Sequence, residues 1–572
     1  MILPLTRLRK TCGWPLTMHR MPCVRALPLT ASSSAAARRM PGKTKASAAW
    51  LNMNDPNIRM AAAAGRSWKS AVAGAAPATA AVVGRTALVW LRNDLRLHDH
   101  AAFAAAAASG FANVVPLFCF SPAQFDARTP FGFPKTGPFR CRFLLQALSD
   151  LKQRLQAVGC NLVLRHGLPA SEIAAICARG HVDVFFHKET CSEETEDEAA
   201  VAAAVAAAPS CTLRSFWGST MVHIDDLPFA PRDMPDVFTS FRKAVEAGGL
   251  RVRAVVPAVS RLAPLPNGMV PGDVSLPPSS AAPAAAAVDP RAALDMIGGE
   301  TRGLERVAHY LFSSRAIERY KDTRNGLIGA DYSSKFSPWL SLGCLSPRLI
   351  YWEIQRFEKQ HVANDSTYWL VFELLWRDFF RMWSIKVGRS LFFVTGPKHV
   401  HVTWLQDKAA FERWRTGTTG HPFVDANMRE LLLSGWMSNR GRQNVASFLT
   451  KDLGLDWRMG AEWFESQLVD YDVCSNWGNW SYASGVGCDP RDNRRFNIQK
   501  QSGDYDPNGD FCRLWCDELR RAAGRVAHQV QPGALASRWS SSGPASAASG
   551  DRGGDSGRGG RGGGKAWVQR PK

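Results

Sequence analysis

The chain has 572 residues, more than one hydrophobic core usually fills, so two domains with tails are expected. Its 45% apolar and 21% charged content is that of an ordinary globular protein, and no charge-free apolar run of about 18 residues offers a membrane span. The net charge of +20 invites a nucleic-acid reading, but residues 1–84 hold twelve Lys/Arg against Asp55 alone and residues 521–572 hold nine against Asp551 and Asp555. Only about +2 is left for the body, so a nucleic-acid groove there must be a local patch.

The first 54 residues contain no Asp or Glu and are rich in Arg, Ala, Ser and Thr. With the Ala-rich run that follows, they are expected to be an organelle transit peptide and disordered leader (1–84) addressed to the chloroplast, with the mitochondrion as the alternative. Order begins with four buried-strand patterns: Thr86-Ala-Leu-Val-Trp-Leu, Val114-Val-Pro-Leu-Phe-Cys-Phe, Asn161-Leu-Val-Leu-Arg and Val182-Asp-Val-Phe-Phe. Helical spacing lies between them, over 140–157 (Phe143, Leu144, Leu148, Leu151 and Leu155 on one side) and 169–178. This alternation predicts an α/β fold, a doubly wound parallel sheet over 85–225. There is no GxGxxG turn for a nicotinamide site.

Residues 226–298 turn Pro- and Ala-rich and read as an interdomain linker. From 299 to 523 the pattern is almost wholly helical, with a short last helix expected over 511–523. The tail, 524–572, carries Arg-Gly-Gly repeats and cannot bury enough to fold. Such tails serve single-stranded nucleic acid or are plain solvated ends. Thirteen irregularly spaced cysteines without a CxxC argue against a disulfide framework and for a reducing compartment, and no spacing supports a zinc site. Twenty Trp against eight Tyr hint at stacking or electron transfer, although core packing suffices for any single Trp.

Five stretches carry a more specific signal. They are Trp90-Leu-Arg-Asn-Asp-Leu-Arg-Leu-His-Asp; Gly132-Phe-Pro-Lys-Thr-Gly-Pro-Phe-Arg; Tyr320-Lys-Asp-Thr-Arg-Asn-Gly-Leu with Asp331-Tyr-Ser-Ser-Lys-Phe-Ser-Pro-Trp-Leu; Glu373-Leu-Leu-Trp-Arg-Asp-Phe-Phe-Arg; and Gly435-Trp-Met-Ser-Asn-Arg-Gly-Arg-Gln. The last leads through Asp456-Trp-Arg to the run from Asp470 to Gly485, which mixes acids, amides and aromatics as no plain core requires. In this order they resemble the photolyase/cryptochrome family, and the second and fifth resemble its DASH-type cryptochromes.

The resemblance implies an antenna domain joined to a helical domain that binds FAD. Tyr320 and the turn Ser333, Ser334, Lys335, Phe336 and Ser337 would hold the pyrophosphate, where hydroxyls, backbone N–H groups and a cation suit an anion. The pair Arg442 and Asp470 would flank the flavin ring, Asp472 would accept from ring or ribose donors, and Asn439 would also bind the cofactor. Asn476 would face flavin N5. Trp404, Trp457 and Trp480 match an electron relay from surface to flavin.

For substrate, Trp376 would stack on a flipped pyrimidine dimer and Glu373 would bond its base edge, both on one helix face. Arg324, Arg377 and Arg440 would hold DNA phosphates. Tyr482 and Gln443 stand where many duplex photolyases have Trp and Met, which favours unpaired strands. Glu193 is expected to meet an antenna, methenyltetrahydrofolate. The implied activity is blue-light repair of cyclobutane pyrimidine dimers in single-stranded DNA by a monomer, with RNA as a further partner. The rival readings are a signalling photoreceptor and a nucleic-acid-binding protein with little repair activity. Alone, the Ser-rich turn reads as a helix cap and Asn476 as a turn residue.

Overall fold

The computed structural model describes residues 84–276, 287–491, 494–522 and 524–528. The expected transit peptide, residues 277–286 of the expected linker and the Arg-Gly-Gly repeats lie outside the described residues. The first part is a sheet of five parallel strands, β1 (Thr86–Leu91), β2 (Asn113–Phe120), β3 (Val163–His166), β4 (Val182–His187) and β5 (Thr212–Phe216), ordered 3-2-1-4-5. Its helices are α1 (Ala101–Ala108), α2 (Pro138–Ala157), α3 (Pro169–Cys177) and α4 (Ser192–Ala206). All six residues of β1 are buried, as expected of a central strand covered on both faces. The fifth strand was not legible in the sequence: it is a half-exposed edge without a clean apolar alternation.

Loops at the carboxyl ends of β1 and β4 meet the helical part through buried charge. Arg96 donates to the Gly343 carbonyl at 2.8 Å, Asp99 pairs with Arg348 at 2.7 Å, and His98 meets Glu300 at 2.6 Å. Beneath them Asp94 takes His100 Nε2 (3.1 Å) and His187 Nδ1 (2.8 Å) on one oxygen. The other nitrogen of His100 accepts from Phe103 N–H at 3.2 Å and so caps α1.

Burial, reinforced by His187, pushes the His100 imidazole down to about 4 against the pull of Asp94. An unfolded imidazole titrates near about 6.5. Between these values the unfolded chain binds a proton that the folded chain does not. The stabilisation is therefore complete above about pH 6.5 and is lost toward pH 4, by about 3 kcal/mol. Urea midpoints measured from pH 7 to 4.5 should fall, and His100→Asn, which keeps a cap acceptor, should flatten the decline. An identical slope in that variant would refute the assignment.

The second part is helical: α5 (Phe238–Glu246), α6 (Glu300–Ala308), α7 (Pro347–Gln360), α8 (Asp365–Val387), α9 (Lys408–Arg415), α10 (Pro422–Ser434), α11 (Asn439–Ser447), α12 (Trp457–Gln467), α13 (Val473–Ser484) and α14 (Ile498–Tyr505). No described helix is long and apolar enough to cross a membrane. The 23-residue α8 starts in a capping box at Asn364 and packs against α5 and α13. Within the segment read as a linker, α5 buries Phe238, Phe241 and Val245. Its amphipathic spacing was masked by the Pro- and Ala-rich sequence around it. The helix expected over 511–523 is shorter, Asp510–Trp515, followed after Cys516 by a 3-10 turn, Asp517–Leu519.

Candidate active site

The centre of the site is built by α11, α12 and α13. Gly435, left-handed at φ 71°, ends α10, and its carbonyl accepts from Val469 N–H at 2.8 Å. That contact brings the start of α11 to the residues preceding α13. Arg442 then reaches both oxygens of Asp470 (2.8 and 3.0 Å) and also donates to the Met437 carbonyl. Asp472 caps α13 by accepting from Ser475 N–H at 2.8 Å, and its other oxygen takes Arg381 at 2.6 Å. Burial would raise the Asp472 carboxyl, but the Arg381 and Arg377 guanidiniums hold it at about 2. The second arm of Arg381 binds Glu189 of the β4 loop at 2.6 Å, so one buried cation ties that loop to the cap of α13.

Asn476 lies one turn into α13. Its amide nitrogen donates to the Ala461 carbonyl of α12 at 3.0 Å, which leaves Oδ1 as an acceptor without a partner among the described residues. A buried ion pair, a partly open guanidinium and an amide with spare acceptor capacity, all deep in a helical body, fit the polar edge of a flavin.

Trp480 is one turn beyond Asn476 and therefore shares its face. A Cβ added at Gly460 would come within 2.2 Å of the Trp480 ring, so α12 lies directly against it. Trp457, three residues earlier on α12, is fully buried and donates to the Val394 carbonyl at 3.1 Å. Leu405 exchanges backbone hydrogen bonds with Gly454 and Asp456 (2.8 and 3.1 Å), which sets the partly buried Trp404 beside the start of α12. Trp480 and Trp457 are buried and Trp404 is partly buried. The ring contacts themselves bring in two residues that the sequence reading did not single out: Trp414 beside Trp480 (6.1 Å) and Trp477 beside Trp457 (5.6 Å).

The Ser333–Ser337 turn is shaped by Arg306, which donates to the Ser334 carbonyl at 2.9 Å and to Asp331 at 2.8 Å. One expectation is corrected here. Lys335 sits in the left-handed region at φ 53° and sends its ammonium inward, to the Gly329 and Ala330 carbonyls (3.1 and 2.9 Å) and over the Tyr332 ring. Burial lowers this amine to about 7, so it is not presented as a phosphate-binding cation. Phe336 is core, edge-on to Tyr310 at 5.8 Å, and Tyr320 is buried beside the same ring. Ser333 and Ser334 are partly open and Ser337, which starts a five-residue helix, is exposed. Of the turn's polar side chains, these hydroxyls are the ones left open to solvent.

On α8, Glu373 pairs with Arg324 at 2.5 Å, while burial still raises its carboxyl. Trp376 is backed face to face by Phe238 of α5 (3.7 Å, 11°), and Tyr482 stands edge-on to it (6.2 Å, 88°). Arg491, held by Asp489, donates to the Tyr482 hydroxyl at 2.8 Å. Arg440 donates to Gln443 and Asn325, both at 2.9 Å, and Asn439 is exposed at the start of α11. Arg377 is a second correction: it turns inward to the Ser219 and Leu340 carbonyls and is spoken for as a structural donor, not a surface phosphate ligand.

On the sheet domain, Glu193 is well exposed and pairs with Lys135 of the Gly132-Phe-Pro-Lys motif at 2.6 Å. Its neighbour Glu194, not singled out from sequence, is pushed up to about 8 by burial and Glu189.

A parallel-sheet domain joined through buried charge to a helical body that holds the Arg442–Asp470 pair beside Asn476 is the architecture of a photolyase-type flavoprotein. The comparisons agree. Residues 87–262 match the DNA photolyase family model and residues 369–546 match the FAD binding domain of DNA photolyase. The chain is 50% identical over 457 residues to cryptochrome DASH of Xenopus laevis, covering 78% of this chain and 85% of that protein. It is 47% identical over 443 residues to the Arabidopsis thaliana protein named "Cryptochrome DASH, chloroplastic/mitochondrial", covering 77% of each. The crystal structure of a Synechocystis cryptochrome superposes with a TM-score of 0.75 at 50% identity, covering 78% of this chain and 91% of that one. A class III photolyase from Agrobacterium tumefaciens reaches 0.66 at 26% identity, covering 79% and 91%. The chain belongs to the DASH-type cryptochromes of the photolyase/cryptochrome family.

Proposed function

We propose that this protein uses blue light to repair cyclobutane pyrimidine dimers, preferentially in single-stranded DNA. FAD, when bound, supplies the light-driven electron. The chain's own residues orient and insulate. Arg442 and Asp470 hold the ring edge, Asn476 offers an acceptor that favours a protonated ring nitrogen, and Trp480, Trp457 and Trp404 refill the electron supply from the surface. Ser333, Ser334 and Ser337 receive the phosphates.

The observation that carries the reading is the corner formed by Trp376 and Tyr482 at 88°, with Glu373 three residues away on the same helix. Such a corner accepts two adjacent bases, one against each ring, while a carboxyl with a raised pKa can bond their polar edge. Tyr482 and Gln443 in place of larger apolar groups favour a strand that is already unpaired, because less stacking energy is available to pull bases from a duplex.

The test is dimer loss from an oligonucleotide under blue light, single-stranded against duplex. Single strands should be repaired at least about tenfold faster, and Glu373→Gln should slow repair by about tenfold or more with flavin absorbance intact. No repair of either substrate ends this reading. A folate antenna beside Lys135, Glu193 and Glu194 is part of the same proposal, and a near-ultraviolet shoulder in the holoprotein spectrum checks it. The names of the plant relatives support an organellar address for residues 1–84, which microscopy of a fluorescent fusion would test.

A further inference from the structure

Two cysteines meet where the sheet domain touches the helical body. Cys191 immediately precedes α4 and is 4% exposed; Cys474 is the second residue of α13 and is 1% exposed. Their Sγ atoms are 3.6 Å apart, and the Thr190 hydroxyl lies 3.1 Å from the Cys474 sulfur. We propose that Cys191 and Cys474 form an oxidation site, at which a hydroperoxide converts the thiol pair to a disulfide that ties the two parts of the fold together. This inference does not depend on the repair activity.

The surroundings decide which sulfur reacts first. The hydrogen bond to Cys191 together with Arg381 pulls the Cys474 thiol below its ordinary range against the effect of burial, the sense in which Cys191 donates. The same hydrogen bond and burial push Cys191 up. Cys474 also sits in the first turn of a twelve-residue helix, where the backbone favours a thiolate.

The Cys474 thiolate attacks one peroxide oxygen, forming its sulfenic acid and expelling hydroxide. Cys191 then attacks the sulfenic sulfur, its own sulfur–hydrogen bond breaks, and water leaves. In sum, two thiols and one hydrogen peroxide give one disulfide and two waters. A disulfide is about 2.05 Å long, so the sulfurs must approach by about 1.5 Å. Peroxide is the appropriate oxidant for so buried a pair because it is little larger than water.

The bond would fix the start of α4, with Glu193 and Glu194, onto the first turn of α13, with Asp472 and Asn476. It also closes a loop spanning 283 residues, which removes many conformations from the unfolded chain.

The test uses the full-length holoprotein, treated with hydrogen peroxide, alkylated under denaturing conditions and digested without reductant. Mass spectrometry should find a peptide linking Cys191 to Cys474 that dithiothreitol abolishes, together with a melting temperature raised by several degrees. Cys191→Ser should prevent the link and leave a dimedone-reactive Cys474. Recovery of both cysteines as alkylated thiols at peroxide doses that already oxidise exposed methionine would overturn the proposal, as would a link from Cys474 to another cysteine. The wild-type measurement decides by itself should the variant fail to fold.

Discussion

Arg381→Ala should cost about 3–5 kcal/mol of stability and most of the retained flavin. The guanidinium is 2% exposed and divides itself between Glu189 and Asp472, at 2.6 Å each, with neither carboxylate more than 9% exposed. Removing it leaves two buried acids facing a void, a state far worse than the loss of a surface pair. The damage reaches function because Asp472 is also the cap of α13, and the turn it caps carries Asn476. Loosening that cap frees the amide from its bond to Ala461. Arg381→Lys should be intermediate, since one ammonium cannot form the two-armed bridge. Urea midpoints together with the ratio of flavin to protein absorbance measure both effects. A midpoint within about 1 kcal/mol of wild type would show that the bridge contributes little.

Gly460→Ala should be strongly destabilising and should act on the electron supply. The new Cβ would lie 2.2 and 2.5 Å from two Trp480 ring atoms and 2.8 Å from Leu449. The indole has no free space to retreat into, because Phe464 closes it at 5.1 Å and Trp414 at 6.1 Å. Overpacking of this kind costs about 1–3 kcal/mol, and with both sides blocked the upper end is expected. More telling is the rate. With Trp480 as the first step of the proposed relay, its displacement should slow photoreduction of the bound flavin by about tenfold or more. Gly503→Ala provides the control. Nothing lies within 4 Å of its added Cβ in α14, so that variant should be neutral or slightly more stable. If the two variants behave alike, the tight approach of α12 to Trp480 has no bearing on electron supply.

Both residues show how the reading from sequence and the folded chain divide the work. Arg381 stands in a stretch that carried the family resemblance, yet no role could be attached to it. Its partners are 192 and 91 residues away, and an ion pair leaves no trace in local spacing. Gly460 is unremarkable in a helix until the ring of another helix comes to rest on it. Lys335 was read as a phosphate cation because a lysine in a Ser-rich turn suggests one. The left-handed backbone at that one residue turns the amine toward carbonyls instead. Phe238 was overlooked because composition, which averages over many residues, cannot reveal a nine-residue helix inside Pro- and Ala-rich surroundings.

What the sequence by itself determined is what local patterning and motif order encode. The apolar runs of β1 to β4 are the imprint of a sheet buried on both faces, and the acids, amides and indoles between Asp470 and Trp480 identify the family and its flavin. What only the tertiary structure decided is direction and partnership. It determined that Asn476 turns its nitrogen to Ala461 and keeps its oxygen free, that Trp376 is backed by Phe238 with Tyr482 edge-on, and that Cys191 meets Cys474. Each of these joins residues far apart in the chain. Such contacts form only when the hydrophobic burial of whole helices sets the geometry, and a single side chain in the sequence carries no record of it.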